Sequence, residues 1–293
     1  MDQPQQAPAR FDRTAEDVGN IVEFGHVNVR VPDQSLATLF YVSGLGLTRD
    51  PYLMTGTSNM WINVGTSQFH LPTGPAQVVR GVVGLVLPDL DALRQRLSRV
   101  RHALAGSRFA VEDRGDTVDV TCPWGNRLRC HAPAPAFGPL ALGIVYVAFD
   151  APPGSAGPIA RFYRDILAAP ARHAGDTVRI GAGADTTLIY RETATPLGAY
   201  DGHHVQISLA DFSGPHERLL ARGLVSEESD QHQYRFQALI DLDTGAPLME
   251  VEHEVRSMRH PLYSRLLVNR DPAISNLRYA PGHDAARWSV LEG

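Results

Sequence analysis

The chain repeats one pattern of apolar and polar positions four times. Each copy begins with a short apolar, β-branched run, continues through a turn into a segment with helical spacing, and ends in strands that alternate with period two. The copies begin near His26, Val82, Ile144 and His204, which lie 56, 62 and 60 residues apart (82 − 26, 144 − 82 and 204 − 144). This period and content fit neither a small-repeat solenoid nor a propeller blade. The pattern predicts four βαβββ modules.

One amphipathic helix is predicted in each module. The first covers about residues 35–44 and ends at Gly44-Leu45-Gly46. The second covers residues 89–97, with leucines at helical spacing. The third carries its apolar stripe over residues 159–166, and the fourth begins near Pro215.

Composition narrows the range of functions. The net charge is −5 and the arginines form no basic stripe, which argues against nucleic-acid binding. All 27 basic residues are Arg, so no lysine is present for Schiff-base chemistry. No run of about 18 apolar residues occurs, and residues 1–20 lack the apolar core of a signal peptide. We therefore expect a cytoplasmic protein without a membrane span, whose Cys122 and Cys130 are reduced.

Residue types that bind metal ions occur at matching places in the first and last modules. His26 and His70 lie 44 residues apart (70 − 26), and His204 and Glu250 lie 46 apart (250 − 204). The corresponding positions of the two middle modules carry residues that do not build a divalent-metal site, namely Val82, Arg129, Ile144 and Tyr190. The first and fourth modules are therefore predicted to share one metal ion.

The choice of carboxylate stays open at this point. Glu250, Glu252 and Glu254 all lie on one face of a period-two strand. Glu250 is favoured because it is nearest the Thr244-Gly245 turn and at the expected offset, and a slip to Glu252 is the alternative.

Two further residues are candidates for proton transfer near the metal. These are His203, next to the proposed ligand His204, and Tyr190. A structural role is the alternative for Tyr190, because it occupies the ligand-equivalent position of a module that lacks other ligands.

Four segments carry a resemblance to a known family. They are residues 25–33 (GHVNVRVPD), 40–47 (FYVSGLGL), 122–128 (CPWGNRL) and 203–207 (HHVQI). In these segments and their spacing, the chain resembles the vicinal oxygen chelate superfamily, which includes glyoxalase I, type I extradiol dioxygenases, methylmalonyl-CoA epimerase and the bleomycin-resistance proteins. The resemblance covers about residues 23–254.

The resemblance implies an α+β fold in which paired βαβββ modules form curved, eight-stranded cups. Metal ligands in that superfamily come from the first and last strands of the two modules that share a cup. Carried over to this chain, the first module would supply His26 and His70, and the fourth would supply His204 and Glu250. This distribution implies that modules one and four pair, which leaves modules two and three as a cup without a metal site.

The repeat also suggests boundaries along the sequence. Residues 1–20 form an N-terminal tail, residues 21–136 contain modules one and two, residues 137–255 contain modules three and four, and residues 256–293 form a C-terminal extension. The polar and aromatic segment 253–263 has two readings, a cover over the mouth of the site and a surface tail.

Mixed nitrogen and oxygen donors suit a divalent transition ion, Fe, Zn, Ni, Co or Mn. With four protein ligands, such an ion would keep two positions for adjacent oxygens of a small substrate, which favours a glyoxalase- or epimerase-like lyase or isomerase. Without His70, the remaining two histidines and one carboxylate match the non-haem Fe(II) oxygenases, and an extradiol ring-cleaving dioxygenase is the alternative. A metal-free protein that sequesters a drug or metabolite is the second alternative. A monomer or a homodimer is expected.

Overall fold

The computed structural model describes residues 11–53 and 58–270. In this part of the chain, sixteen strands form two eight-stranded mixed sheets, and four α-helices accompany them. Each module has the order strand, helix and three strands. The predicted α+β fold with four βαβββ modules is confirmed.

The elements follow one another in the same order in every module. The strands are β1 (Ile21–Asn28), β2 (Thr48–Arg49), β3 (Asn59–Val64) and β4 (Ser67–Pro72) in the first module, β5 (Gly81–Val86), β6 (Ala110–Asp113), β7 (Thr117–Thr121) and β8 (Arg127–His131) in the second, β9 (Gly143–Ala151), β10 (Ala171–Ala174), β11 (Thr177–Gly181) and β12 (Thr187–Glu192) in the third, and β13 (His204–Leu209), β14 (Val225–Asp230), β15 (Gln233–Ile240) and β16 (Pro247–Ser257) in the fourth. The helices are α1 (Gln34–Ala37), which continues as a π-helix (Thr38–Gly44), α2 (Leu90–Val100), α3 (Ala156–Leu167) and α4 (Ser213–Leu220), and two short 3₁₀ helices cover Arg13–Glu16 and Pro135–Phe137.

The two sheets pair the modules across the sequence. One sheet has the order β14-β15-β16-β13-β1-β4-β3-β2, so it joins modules one and four, and the other has the order β10-β11-β12-β9-β5-β8-β7-β6 and joins modules two and three. Modules one and four join in the first sheet where β1 runs antiparallel to β13, with Val27 opposite Val205. The pairing expected from the distribution of ligand-type residues is present.

The apolar stripes read from the sequence face the core. Leu90, Leu93 and Leu97 of α2 are buried, and Asp89 caps this helix by accepting a hydrogen bond from the Ala92 N–H at 2.8 Å. The helices of modules one and two contact each other, and α3 packs against β15. Because successive strand residues point to opposite faces, the polar residues that alternate with the buried ones lie on the concave face of each sheet.

Two expectations from composition concern the cysteines and a membrane span. Cys122 and Cys130 are buried and unpaired, so the expectation of two reduced cysteines is met. Within residues 11–53 and 58–270, no helix has the length and apolar character needed to cross a membrane.

A buried chain of hydrogen bonds connects the two sheets through α3. The hydroxyl of Tyr163 lies 2.6 Å from the hydroxyl of Tyr190 and 2.5 Å from Nε2 of His253. Nδ1 of His253 lies 2.8 Å from the Val251 carbonyl oxygen, which assigns the ring proton to Nδ1. Tyr163 therefore donates to His253 and accepts from Tyr190, and all three side chains are fully buried.

Removing the central hydroxyl of this chain is expected to cost more than removing its end. Tyr163→Phe leaves the Tyr190 hydroxyl and His253 Nε2 buried without partners, so the free energy of unfolding should fall by about 2–4 kcal/mol. Tyr190→Phe removes one hydrogen bond and keeps the bond to His253, so the loss should be about 1 kcal/mol. Urea unfolding of the two variants measures the difference, and equal losses would contradict the central position of Tyr163 in this chain of hydrogen bonds.

Candidate functional site

Four side chains meet on the concave face of the first sheet. They come from its four central strands, and they are His26 on β1, His70 on β4, His204 on β13 and Glu254 on β16. The ring centroids of His26 and His70 are 5.6 Å apart, as are those of His26 and His204. Ligand atoms of His26, His204 and Glu254 lie within 4.8 Å of one another, and the part of the chain that the structure describes contains no other such group of three.

The carboxylate of this group is Glu254, and the structure does not bring the expected Glu250 to the histidines. Glu250 is exposed, and its Oε1 accepts a hydrogen bond from Gln237 Nε2 at 2.6 Å. Its backbone carbonyl accepts a hydrogen bond from Arg80. We therefore replace Glu250 by Glu254 in the candidate ligand set.

The register of the first sheet explains why Glu254 takes this place. A local twofold relates β1 to β13, and under it Asn28 corresponds to Gln206, since each follows its own strand's histidine by two positions. Asn28 pairs with His70 on β4, and Gln206 pairs with Glu254 on β16. Glu254 is thus the counterpart of His70 in the fourth module.

The last hairpin is longer in the fourth module than in the first. The spacing from His26 to His70 therefore does not locate the corresponding residue after His204. His70 follows His26 by 44 residues (70 − 26), whereas Glu254 follows His204 by 50 (254 − 204). Strands β15 and β16 contain 8 and 11 residues, while β3 and β4 contain 6 each. Glu250, Glu252 and Glu254 share one face of the strand, so a longer hairpin can bring a later glutamate to the histidines. This alternation was the feature of the sequence that could have indicated Glu254.

The ligand-type atoms of the cup are buried without good hydrogen-bond partners. This holds for the imidazole atoms Nε2 of His26, Nε2 of His204 and Nδ1 of His70. Native structures rarely leave several such atoms together, because each one costs the free energy of its lost hydration. A cation that accepts their lone pairs would remove this cost, so the residues fit a metal ion.

The protonation states of the cup suit the same role. Burial lowers the pKa of His26 well below its usual value, and the positive charge of Arg256 adds to this effect against the opposing charge of Glu254. Burial likewise lowers the pKa of His70 to about 3. For Glu254, burial alone would raise the pKa, but the contact with His204 and the positive charge of Arg256 hold it below the usual range. Neutral imidazoles beside an ionised carboxylate are the forms that bind metal ions.

Two arginines and a second carboxylate surround Glu254. Arg235 donates to Glu254 Oε2 at 2.6 Å and to Glu252 Oε1 at 2.5 Å, and Arg256 Nη2 lies 2.7 Å from Glu254 Oε1. Oε1 of Glu252 also lies 3.2 Å from Nδ1 of His204. A carboxylate on the Nδ1 side of a histidine favours the tautomer whose Nε2 carries the free lone pair. Glu252, the alternative ligand considered from the sequence, therefore lies behind His204 and orients it.

His70 lies beside the three-residue group and outside its 4.8 Å limit. Its Nε2 contacts Asn59 Oδ1 at 2.8 Å, so Nε2 holds the proton and Nδ1 carries the lone pair. The ring stacks on Trp61 at a centroid distance of 3.8 Å, and Trp61 also meets His26 edge to face at 5.0 Å. Trp61 thus fixes the orientation of both imidazoles, a contact that no motif in the sequence indicated.

Neither predicted proton-transfer residue reaches the cup. Tyr190 lies in the core, where it stacks on Phe149 and bonds to Tyr163. His203 is 1% exposed, its ring stacks on Phe149 at 6.4 Å, and its Nδ1 lies 2.7 Å from Asp201 Oδ1. Alternation explains the difference from His204, since adjacent residues of an extended chain point to opposite faces.

The second sheet has the same architecture and a different lining. Arg129 forms a bidentate ion pair with Asp119, at 2.7 and 2.8 Å. The ring of Tyr146 lies over Gly84, where a Cβ would come within 2.3 Å of it, and its hydroxyl bonds to His131 Nε2 at 3.0 Å. Among the described residues, this cup contains no metal-type cluster.

The chain that follows β16 crosses the first cup. We call residues 262–269 the strap. Asn269 exchanges two hydrogen bonds with the backbone of Gly65, and Asn63 donates to the Val268 carbonyl at 2.7 Å. Arg265 donates to Asp50 at 2.6 Å. Residues 253–257 of the segment 253–263 belong to β16, and the chain that crosses the cup is the strap that follows this segment.

The strap leaves little free space beneath it. A cavity of about 20 Å³ lies between the strap and the sheet, and its lining includes His26, Gln206, Arg256 and Arg265. This volume has room for about one water molecule. Gly25 lies under the Gln206 amide, and a Cβ at that position would come within 1.7 Å of its oxygen, so the cup wall requires glycine there.

Comparison with known proteins gives matches in structure and none in sequence. No protein-family profile and no curated protein matches the chain. A "putative dioxygenase" from Bacillus subtilis superposes with a TM-score of 0.53 at 15% identity, over 83% of this chain and 87% of that one. Glyoxalase I from Zea mays superposes with a TM-score of 0.51 at 13% identity, over 80% of this chain and 92% of that one.

These two structures match the chain over both of its sheets, so the resemblance read from the sequence is confirmed at the level of the fold. At these identities the likeness carries no reaction with it. With four βαβββ modules in one chain and the first paired with the fourth, the protein has a glyoxalase/extradiol dioxygenase-like fold.

Proposed function

We propose that the chain is a metal-dependent enzyme of the vicinal oxygen chelate type, acting on a small molecule with two adjacent oxygens. His26, His204 and Glu254 would hold one divalent transition ion. The observation that carries this proposal is the convergence of their buried ligand atoms within 4.8 Å, from strands of two different modules. A purely structural cluster would not be expected to leave these atoms without good hydrogen bonds.

Among the reactions of this class, the ligand set supports the ring-cleaving dioxygenase over the lyase or isomerase that the sequence favoured. Two histidines and one carboxylate form the set used by non-haem Fe(II) oxygenases. The lyase or isomerase was favoured on the basis of four ligands that include His70, and His70 lies outside the group of His26, His204 and Glu254. Its ring is nevertheless 5.6 Å from that of His26, so the lyase or isomerase remains the second candidate.

The bound ion would supply Lewis-acid stabilisation of the two substrate oxygens. The chain's own residues would bind, orient and deprotonate the substrate. His70 offers its free Nδ1 to a substrate hydroxyl, since Asn59 holds the proton on Nε2. Burial lowers the pKa of His70 and so makes it a weak base, and negative charge on a bound substrate would raise its pKa. The strap and Trp61 would exclude water from the site.

Metal content tests the ligand set. Stoichiometric metal should be lost in Glu254→Ala and in His204→Ala, because each removes one of three ligands. Glu250→Ala is the matched control on the same strand and should keep full occupancy, while Glu252→Gln should weaken binding by about 10–100-fold. Elemental analysis of protein purified without a chelating column measures all four. Full occupancy in Glu254→Ala would overturn the set, and metal-free wild-type protein would favour the sequestering function.

Oxygen uptake tests the reaction. Protein reconstituted anaerobically with Fe(II) should consume O₂ when given catechols and form a yellow ring-fission product. His70→Gln should keep its iron and lose about 10²–10⁴-fold in kcat, as expected for removal of an acid–base group. Loss of iron in this variant would instead make His70 a ligand. No O₂ uptake by an iron-loaded wild type, with turnover of a glyoxalase-type substrate, would restore the lyase or isomerase.

A further inference from the structure

The strap presents a guanidinium group to the cavity beside His26. Arg265 lines this cavity together with Arg256. Its Nη2 donates to Asp50 at 2.6 Å, while its Nη1 is buried and has no hydrogen-bond partner among the described residues. An unpartnered guanidinium N–H in a buried site costs free energy, so this atom is placed for a partner that the folded chain does not supply.

The other groups around the cavity do not satisfy Arg265. Glu23 is the one acidic residue among those that line it, and both its oxygens are engaged, by the Ser208 hydroxyl at 2.9 Å and by the Ser264 N–H at 3.1 Å. Arg256 lies against Glu254. The cavity therefore adjoins a candidate ligand on one side and a guanidinium with a free N–H on the other.

The contact between Arg265 and Asp50 is also the charged link that closes the strap. Asp50 is buried, and its Oδ1 accepts hydrogen bonds from the N–H groups of Tyr52 and Leu53, which fixes it to its own loop. A cavity of about 20 Å³ admits no substrate, so the strap must move before one binds. When the strap moves, the hydrogen bond between Arg265 and Asp50 is broken or weakened. The planar guanidinium group of Arg265 can then bind another carboxylate.

We propose that the substrate carries a carboxylate in addition to its two adjacent oxygens, and that Arg265 binds this carboxylate in exchange for Asp50. The inference rests on the proposed function, because it places the carboxylate next to oxygens bound beside His26. Arg265 is then the specificity-determining residue of the site. Asp50 acts as the internal competitor that occupies it when no substrate is present.

Two probes that differ by one carboxylate test the proposal. Catechol and 3,4-dihydroxybenzoate share the adjacent hydroxyls, and only the second carries the extra anionic group. Isothermal titration of Zn(II)-loaded, full-length protein gives both Kd values without turnover. The readout is their ratio, because the cost of opening the strap enters both constants and cancels.

Three variants separate recognition from structure. Arg265→Met should raise the Kd of 3,4-dihydroxybenzoate relative to that of catechol by about 10–100-fold, the loss of a charge-assisted hydrogen bond of about 1.5–3 kcal/mol. Asp50→Asn keeps an oxygen for the Tyr52 and Leu53 N–H groups and removes the competing charge, so the same ratio should fall by about 3–10-fold. Asn269→Ala loosens the strap without a change of charge and should shift both probes equally.

The opposite directions of Arg265→Met and Asp50→Asn are decisive. If both variants shift the two Kd values by the same factor and leave their ratio unchanged, as Asn269→Ala should, the Arg265–Asp50 pair only holds the strap and the proposal is overturned. A wild type that binds no Zn(II) would instead refute the proposed function. In that case 3,4-dihydroxybenzoate is titrated into metal-free protein, where binding that depends on Arg265 supports the carboxylate site and its absence overturns it.

Discussion

The antiparallel contact between β1 and β13 is the constraint on which the candidate site depends. It joins the first module to the fourth and places Val27 opposite Val205 at the centre of one continuous sheet. His26 and His204 lie one position from these valines, so they meet only when this pair of strands is in register. A shift of either strand by one residue would turn the imidazole of that strand into the core. The chemistry of the cup is thus set by a contact between distant parts of the chain.

Burial explains the character of the side chains that this contact assembles. Three imidazoles and a carboxylate lie close together in the first cup, where charged forms are disfavoured and unpaired polar atoms are costly. Arg235 and Arg256 keep Glu254 ionised in that environment. Burial keeps His26 and His70 neutral with free lone pairs, so the same burial that makes unpaired polar atoms costly prepares the cup to bind a cation.

The second cup shows that the candidate metal site does not follow from the βαβββ architecture alone. It is built from the same βαβββ modules in the same order, yet Arg129 is paired with Asp119 and Tyr146 covers Gly84. These groups pair with one another, and the described residues of this cup contain no group of three metal-type ligands. One fold thus carries a candidate metal site in one half and none of this type in the other, because sites depend on side chains and their surroundings.

The sequence by itself determined the modules, the helices and two of the three side chains of the candidate metal cluster. Local periodicity gave α2 and its buried stripe, and the distribution of ligand-type residues predicted that module one meets module four. It did not determine the carboxylate, because a hairpin's length changes the spacing from His204 while the strand register that selects Glu254 is set by pairing. It also could not place His203 or Tyr190 in the core, or Arg265 over the cup, since these depend on which face or segment packs where. Tertiary packing decides which side chains distant in sequence come into contact, and the local pattern of apolar and polar residues does not specify these individual contacts.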